Sequence, residues 1–277
     1  MRPSEGLGSI DVPVRAFSYD SGASGPEVTR AVAVEAPIQI VIGGAPFAVM
    51  MATPNDLEDF AYGFALTEQI AARVDDIRSV EIEPVEDGWK VKIALSGERL
   101  QAHLARGRAM SGRTGCGLCG IEDFSQMPSP RPPLQRQAPI APDAIRTALS
   151  ELEARQPLNQ ATRAVHAAAW CEQDGTIVLV REDVGRHNAL DKAIGALARA
   201  GVAPGSGFFV ITSRCSFEMV AKVAIFGSGT LVSVSAPTSL ALERAQRFGV
   251  RVIAVARHDQ AICFDSGKDE ASGGLAA

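Results

Sequence analysis

The chain has 277 residues, of which 46% are hydrophobic and 21% charged, and its formal net charge is −5 at pH 7. This length suffices for one large domain or two modest ones, and the apolar fraction supports a proper core. An acidic chain without a run of Lys and Arg is not expected to bind nucleic acid, and no apolar stretch reaches the length of a membrane span. The N-terminus has no hydrophobic signal core, so we expect a soluble, cytoplasmic protein.

The first third of the chain predicts a small ββαββ domain over 27–97. The preceding segment, 1–26, is rich in Gly, Ser and Pro, and we expect it to be loosely ordered. Two apolar runs around Gly43-Gly44 predict a hairpin, and an amphipathic helix follows with Thr53 as its expected N-cap. Two alternating runs, SVEIEPV and WKVKIAL, then predict a second hairpin.

The rest of the chain divides at about residue 141. The connection 98–140 is irregular and ends in a proline-rich run, and we expect it to be a mobile loop because such long connections are usually functional or are linkers. From 141 to 277, apolar strands alternate with helices, which predicts an α/β sandwich of about five strands with a parallel sheet covered on both faces. We expect the tail after about residue 266 to be disordered.

Polar side chains follow four of the predicted strands at their carboxyl ends, where open α/β sheets bind ligands. With several helix N-termini, they suit a large, anionic ligand. Ser and Thr also cap helices, so Ser216 and Thr238 do not indicate a ligand by themselves. No GxGxxG or GxxxxGK[ST] motif is present, so neither a Rossmann dinucleotide site nor a P-loop is predicted. The candidate binding residues are Arg181, Asp183, Arg186, His187, Asn188, Ser213, Arg214, Ser235 and Thr238.

A CxxC motif, Cys116 and Cys119, lies in a glycine-rich stretch of the connection. A structural zinc needs four ligands, and neither a second CxxC nor an H-x-E motif is present, so no metal site is predicted. Arg113 precedes Cys116 and favours its thiolate, whereas Glu122 and Asp123 follow Cys119, so Cys116 is the predicted nucleophile. An exposed thiolate on a flexible loop is expected of a carrier that holds sulfur as a persulfide; a resting disulfide or an unreactive loop is the alternative.

Five segments in order carry a family resemblance: GFALTEQI, RTGCGLCG, REDVGRHNALDKAIG, SFEMVAKVA and SAPTSLALERAQRFG. Over roughly 30–265, the chain resembles the formate dehydrogenase accessory sulfurtransferase family. The resemblance implies a sulfur carrier that takes sulfur from a cysteine desulfurase as a persulfide. The sulfur then passes to the molybdenum bis(guanine dinucleotide) cofactor before that cofactor enters formate dehydrogenase. The resemblance also implies a homodimer and a larger domain similar to the cytidine deaminase fold without its zinc site.

The resemblance assigns residues as well. Cys116 matches the persulfide-forming cysteine of the family and Cys119 its auxiliary partner. A guanine nucleotide is expected to mimic the cofactor. Cys215 stands where the family motif does not require a cysteine. The alternative function is a non-catalytic chaperone that binds the cofactor and whose CxxC only binds metal or forms a disulfide. The cofactor-contacting segment of the family matches Val255, Ala256, Arg257, His258, Asp259 and Gln260.

Overall fold

The computed structural model describes residues 8–101, 129–130, 132–135, 137–257 and 259–264. Within these ranges the chain is a mixed α/β protein whose strands form sheets of two, four and six strands. No helix in the described part is both long and apolar enough to cross a membrane.

The N-terminal region forms an antiparallel hairpin of β1 (Ser9–Phe17) and β2 (Ser24–Ala33). The prediction of a loosely ordered segment over 1–26 is therefore wrong for the strand residues, while residues 1–7 lie outside the described ranges. The segment is rich in Gly and Ser, but apolar residues occupy every second position along part of β1, which is typical of a strand. Ile10 and Val14 lie opposite Val32 and Val28 on one face of the hairpin, and β-branched residues favour strands.

A four-stranded sheet with one helix follows. Its elements are β3 (Ala36–Ile42), β4 (Ala45–Ala52), α1 (Leu57–Thr67), β5 (Ile77–Val85) and β6 (Gly88–Leu95), and the strand order is β4-β3-β6-β5. Both predicted hairpins are confirmed, since β3 pairs with β4 and β5 with β6, each antiparallel. We call these five elements the small unit.

Two details of the small unit depend on backbone angles and contacts. Gly43 and Gly44 have φ values of 57° and 87°, the pair of positive angles that suits a tight hairpin turn. The predicted N-cap at Thr53 is wrong, because α1 begins at Leu57 and Asp56 occupies the cap position without a side-chain cap hydrogen bond. Thr53 instead contacts the second part of the chain, as described below.

The second part of the chain forms a six-stranded sheet with helices. Its elements are α2 (Pro142–Leu152), α3 (Pro157–Thr162), β7 (His166–Glu172), β8 (Ile177–Asp183), α4 (Arg186–Arg199), β9 (Gly207–Ile211), α5 (Phe217–Phe226), β10 (Thr230–Ser233), α6 (Ser239–Phe248), β11 (Arg251–Ala254) and β12 (Ile262–Cys263). The strand order is β12-β11-β10-β9-β7-β8. The prediction of about five strands missed only the two-residue β12, but the sheet is mixed rather than parallel. The turn between β7 and β8 reverses the chain, so β7 runs antiparallel to both of its neighbours. Similarity to the cytidine deaminase fold stays a prediction.

Helices cover both faces of the six-stranded sheet, as predicted. On one face, buried residues of α4, α5 and α6 such as Leu190, Met219 and Ala241 share a core with Phe209 of β9. On the other face, α2 packs through Ile145 and its neighbours against alternate residues of the same strands. This alternation follows from the period of two in a strand, because each strand presents successive side chains to opposite faces.

The small unit docks on the sheet through a close crossing of α1 and α4. Gly63 and Gly195 lie at this crossing: a Cβ atom at Gly63 would lie 1.7 Å from the carbonyl oxygen of Asp191. A Cβ atom at Gly195 would lie 1.9 Å from the carbonyl oxygen of Asp59. Both distances are far below van der Waals contact, so only glycine permits the two helix backbones to approach this closely.

The described ends of the connection 98–140 are held by the protein. Arg99 donates hydrogen bonds to backbone carbonyls of the turn that follows α1. The backbone N–H of Leu134 donates a hydrogen bond to the carbonyl of Phe248. The side chain of Gln137 forms hydrogen bonds with the backbone of the turn after α5. These contacts connect the described ends to the folded part of the chain, and the mobility of the connection stays a prediction. The middle of the connection, with the CxxC motif, and the tail after residue 266 lie outside the described residues.

Candidate functional site

The four polar junctions predicted from the sequence lie at one edge of the six-stranded sheet. Strands β9, β10 and β11 are parallel, and β8 runs in the same direction because β7 is antiparallel to both β8 and β9. The carboxyl ends of β8, β9, β10 and β11 therefore share one edge, which we call the rim. Because β7 runs the other way, it begins at the rim, and His166 at its start lies opposite Asp183 at the end of β8.

Asp183 is fully committed to internal contacts. Its carboxylate lies 2.7 Å from Lys192 Nζ, and both side chains are 0% exposed. It accepts hydrogen bonds from the backbone N–H groups of Thr53 and Gly185 and from the side-chain amide of Asn188. Burial lowers the pKa of Lys192, although Asp183 opposes that shift. With every oxygen partnered by the protein, Asp183 positions the rim rather than presenting a group to a ligand.

Arg181 and Asn188 also connect the rim to the small unit. Arg181 donates two hydrogen bonds to one oxygen of Asp59, at 2.9 and 2.8 Å. Asn188 donates to the carbonyl of Met51 at 2.8 Å. These predicted binding residues thus have partners within the protein, which points to a positioning role that the sequence did not indicate.

The serines and threonines of the rim differ in their hydrogen bonds. Thr238 caps α6, because its side chain accepts a hydrogen bond from the backbone N–H of Ala241. Ser216 occupies the N-cap position of α5 but makes no cap hydrogen bond, and its hydroxyl is buried without a partner among the described residues. Ser213 is buried. The hydroxyl of the buried Ser233 donates hydrogen bonds to the backbone carbonyls of Ser213 and Ser235.

Three basic residues of the rim lie where α4 and α5 begin. Arg186 and His187 open α4, and Arg214 precedes α5 with an exposed side chain. Burial lowers the pKa of His187 to about 3, with further contributions from Lys222 and Arg186, so the imidazole is neutral near pH 7. The 4.0 Å approach of His187 Nε2 to Glu218 Oε2 is therefore not an ion pair.

The segment after β11 places further groups at the rim. Val255 has a positive φ of 53°, which is unusual for a β-branched residue and marks a constrained turn. Ala256 is buried, whereas Arg257 is exposed and donates to the carbonyls of Val234 and Ala256. Asp259 and Gln260 are exposed as well. The predicted contact His258 lies outside the described residues.

A second buried charge cluster joins the small unit to α4 and α5. Lys222 Nζ lies 2.9 Å from both oxygens of Asp191, 2.9 Å from Thr67 Oγ1 and 3.2 Å from Glu68 Oε1. Burial raises the pKa of Asp191 to about 6. Burial alone would lower the pKa of Lys222, but the carboxylates of Asp191 and Glu68 outweigh it and raise that pKa. The sequence analysis did not predict this cluster. The feature that indicates it is the lysine within the otherwise apolar segment MVAKVAIF.

The predicted nucleophiles Cys116 and Cys119 lie outside the described residues. Cys171 and Cys215 are buried free thiols, and burial raises the pKa of each to about 12. Neither is therefore a thiolate near pH 7. Cys263 is exposed. The described ranges contain no group of His, Cys, Asp and Glu side chains able to hold a metal ion.

Comparisons with known proteins show that the chain is similar in sequence to proteins named as sulfur carriers. A family model described as the FdhD/NarQ family matches residues 33–269. A protein named "Sulfur carrier protein FdhD" from Xanthomonas axonopodis pv. citri (strain 306) is 45% identical over 251 residues, which is 91% of this chain and 89% of that protein. A relative of the same name from Cupriavidus necator is 46% identical over 226 residues, 82% of this chain and 78% of the relative.

A solved structure shares the fold. It is the crystal structure of a protein described as a formate dehydrogenase accessory protein from Desulfotalea psychrophila. The TM-score is 0.70 at 24% sequence identity, and the match covers 94% of this chain and 98% of the other. The match therefore includes both the small unit and the six-stranded sheet.

Proposed function

Because the chain belongs to the FdhD/NarQ family, we propose that it is a sulfur carrier that supports formate dehydrogenase. The observation that carries the proposal is the 45% identity, over 91% of the chain, to a protein named as a sulfur carrier. The CxxC motif at 116–119 supplies the thiols that such a carrier requires. Among the described cysteines, the high pKa values of Cys171 and Cys215 make both unsuitable as sulfur acceptors.

The sulfur donor in this proposal is a cysteine desulfurase that carries a persulfide. The thiolate of Cys116 attacks the terminal sulfur of that persulfide, and a new S–S bond forms on Cys116. The S–S bond of the donor breaks, and the donor leaves as a thiolate. The exchange needs no added oxidant or reductant, because the terminal sulfur keeps its oxidation state. Cys119 is the auxiliary thiol.

The sulfur acceptor in this proposal is the molybdenum bis(guanine dinucleotide) cofactor, which is a substrate of the carrier and binds at the rim. Support comes from the convergence of four strand ends and three helix starts at one sheet edge. Helix N-termini and arginines favour phosphate groups. The segment 255–260 at the end of β11 supplies further contacts. The protein acts as a homodimer in this proposal.

The proposal is tested by intact mass spectrometry after incubation with a cysteine desulfurase and cysteine. The wild-type chain is expected to gain the mass of sulfur, and reduction with a thiol should remove it. Cys116→Ala should gain none. Cys263→Ser is the matched control because it alters an exposed cysteine elsewhere, and it should gain sulfur normally. A wild-type chain that gains no sulfur but binds the cofactor would instead be a binding chaperone, and the carrier function would be rejected.

A further inference from the structure

Helix α1 ends in a backbone conformation that glycine usually supplies. The backbone N–H of Gln69 donates a hydrogen bond to the carbonyl of Leu66, and that of Ile70 donates to the carbonyl of Ala65. This pair of bonds is the Schellman motif, in which the first residue after the cap takes left-handed angles and is most often glycine. Gln69 has a φ of 56°, which costs free energy for a residue with a Cβ atom.

Other helices of the chain end on glycine instead. Gly201, Gly227 and Gly249 follow α4, α5 and α6 with φ values of 68°, 103° and 78°. The glutamine after α1 has one group that glycine lacks, a side-chain amide, and its Nε2 donates a hydrogen bond to the backbone carbonyl of Ser129 at 2.8 Å. The contact with Ser129 therefore distinguishes this helix end from the other three.

The same turn also holds the other end of the connection 98–140. Arg99 donates from Nε to the carbonyl of Ile70 and from Nη2 to the carbonyl of Gln69. Arg99 and Ser129 are thus both bonded to Gln69, the first through its backbone and the second through its side chain. The CxxC motif lies between these two attachment points in the sequence.

The turn 68–70, which we call the anchoring turn, is also fixed to the second part of the chain. Glu68 Oε1 accepts a hydrogen bond from Lys222 Nζ on α5 at 3.2 Å, and both side chains are 9% exposed. Helix α5 begins at the rim, where the sulfur acceptor binds in the proposed function. Both attachment points of the connection therefore have a defined position relative to the rim.

We propose that Gln69 is a positioning residue for the delivery of sulfur, because its bond to Ser129 limits how far Cys116 can lie from the anchoring turn. Cys116 is 13 positions from Ser129 but 18 positions from Leu134, the next residue along the chain with a described backbone hydrogen bond. A chain spans at most about 3.5 Å per residue, so loss of the bond lengthens this side of the tether by up to roughly 17 Å.

The two steps of the carrier depend differently on this tether. Loading is a collision with a separate desulfurase, and its rate does not depend on where the connection is attached. Delivery to an acceptor at the rim is a reaction within one assembly, and its rate depends on an effective concentration that falls as a tether lengthens. The inference rests on the proposed function, since it requires a sulfur carrier whose acceptor binds at the rim.

Gln69→Gly tests the proposal in the full chain, because glycine keeps the left-handed conformation and removes the amide donor. Sulfur uptake, measured by intact mass after incubation with a cysteine desulfurase and cysteine, should equal that of the wild type. Formate dehydrogenase activity in cells that depend on this protein should fall by roughly twofold or more at equal protein level. The thermal midpoint should not fall, because glycine adopts a φ of 56° without strain.

Arg163→Gly is the matched control. Arg163 also has a left-handed φ, of 57°, but its side chain pairs with Glu153 on the surface, so this change should alter neither uptake nor activity. Gln69→Lys keeps an N–H donor of similar reach and should retain most of the activity. Wild-type activity in Gln69→Gly, an equal loss in Gln69→Lys, or a loss of uptake that matches the loss of activity would each overturn the proposal. A wild-type chain that takes up no sulfur would reject the proposed function itself.

Discussion

Replacement of Lys222 by Met tests how the small unit is held on the six-stranded sheet. The lysine is 9% exposed, and its ammonium group contacts the carboxylates of Asp191 and Glu68, which are 1% and 9% exposed. Methionine fills a similar volume without charge, so Lys222→Met leaves two buried carboxylates without their cation. Removal of one partner from a buried ion pair typically costs about 3–5 kcal/mol. At roughly 2–4 °C per kcal/mol, the thermal midpoint should fall by roughly 6–20 °C.

The loss in Lys222→Met should depend on pH. The pKa of Asp191 is already raised to about 6 by burial, and loss of the lysine raises it further. At a pH between the two pKa values, Asp191 holds a proton in the folded variant. The unfolded chain has released it, because its aspartate pKa has the ordinary value of about 3.9. Stability therefore increases as the pH falls through the raised pKa, so the cost should be larger at pH 8 than at pH 5.

Thermal unfolding followed by circular dichroism at these two pH values measures the effect. Lys222→Met/Asp191→Asn should recover part of the lost stability and show less pH dependence, because one uncompensated charge is gone. Lys92→Met is the matched control: Lys92 pairs with Glu83 on the surface, and its loss should change the midpoint little. Equal midpoints for Lys222→Met and wild type at pH 8 would refute the idea that this cluster holds the two parts together.

Three further predictions concern sulfur transfer, nucleotide binding and acid stability. Cys116→Ala should abolish formate dehydrogenase activity in cells that depend on this protein, whereas Cys119→Ala should leave some; full activity with Cys116→Ala would exclude the carrier mechanism. Arg257→Ala should weaken GDP binding more than tenfold by calorimetry if this exposed side chain meets a phosphate, and an unchanged affinity would move the site elsewhere. Folding lowers the pKa of His187 from 6.5 to about 3. Between these two pH values the unfolded chain therefore binds a proton that the folded chain does not. The free energy of unfolding should therefore fall as the pH decreases from about 6.5 to 3, and His187→Gln should reduce that slope; an identical slope would contradict the assigned pKa.

Local sequence patterns predicted the elements well where the pattern itself determines the structure. The Gly43-Gly44 pair marked a turn because only glycine readily adopts both positive φ angles. Alternating strands and helices marked the larger α/β part and the rim at its carboxyl edge. The expectation of a parallel sheet was wrong at β7, because a strand has the same side-chain alternation in either direction and hydrophobic periodicity carries no directional information.

The roles of individual site residues were less predictable. Asp183 and Asn188 follow a strand end and look like ligand contacts, yet their partners Thr53 and Met51 are more than 120 positions away in the sequence. Such pairs are determined by docking of the two parts, which no local pattern encodes. The difference between Thr238, which caps a helix, and Ser216, which does not, likewise depends on side-chain geometry rather than on residue type.

The distant contacts that shape the rim have a consequence for the order of folding. The hydrogen bonds that join Thr53 to Asp183, Asn188 to Met51 and Lys192 to Thr53 connect residues 130, 137 and 139 positions apart. Closing such long stretches of chain costs entropy before any contact is gained, and proteins rich in distant contacts fold slowly. During synthesis the small unit leaves the ribosome first and has no partner surface until α4 and α5 have been made. The rim is therefore a late product of folding, complete only when the first third of the chain has docked on the last.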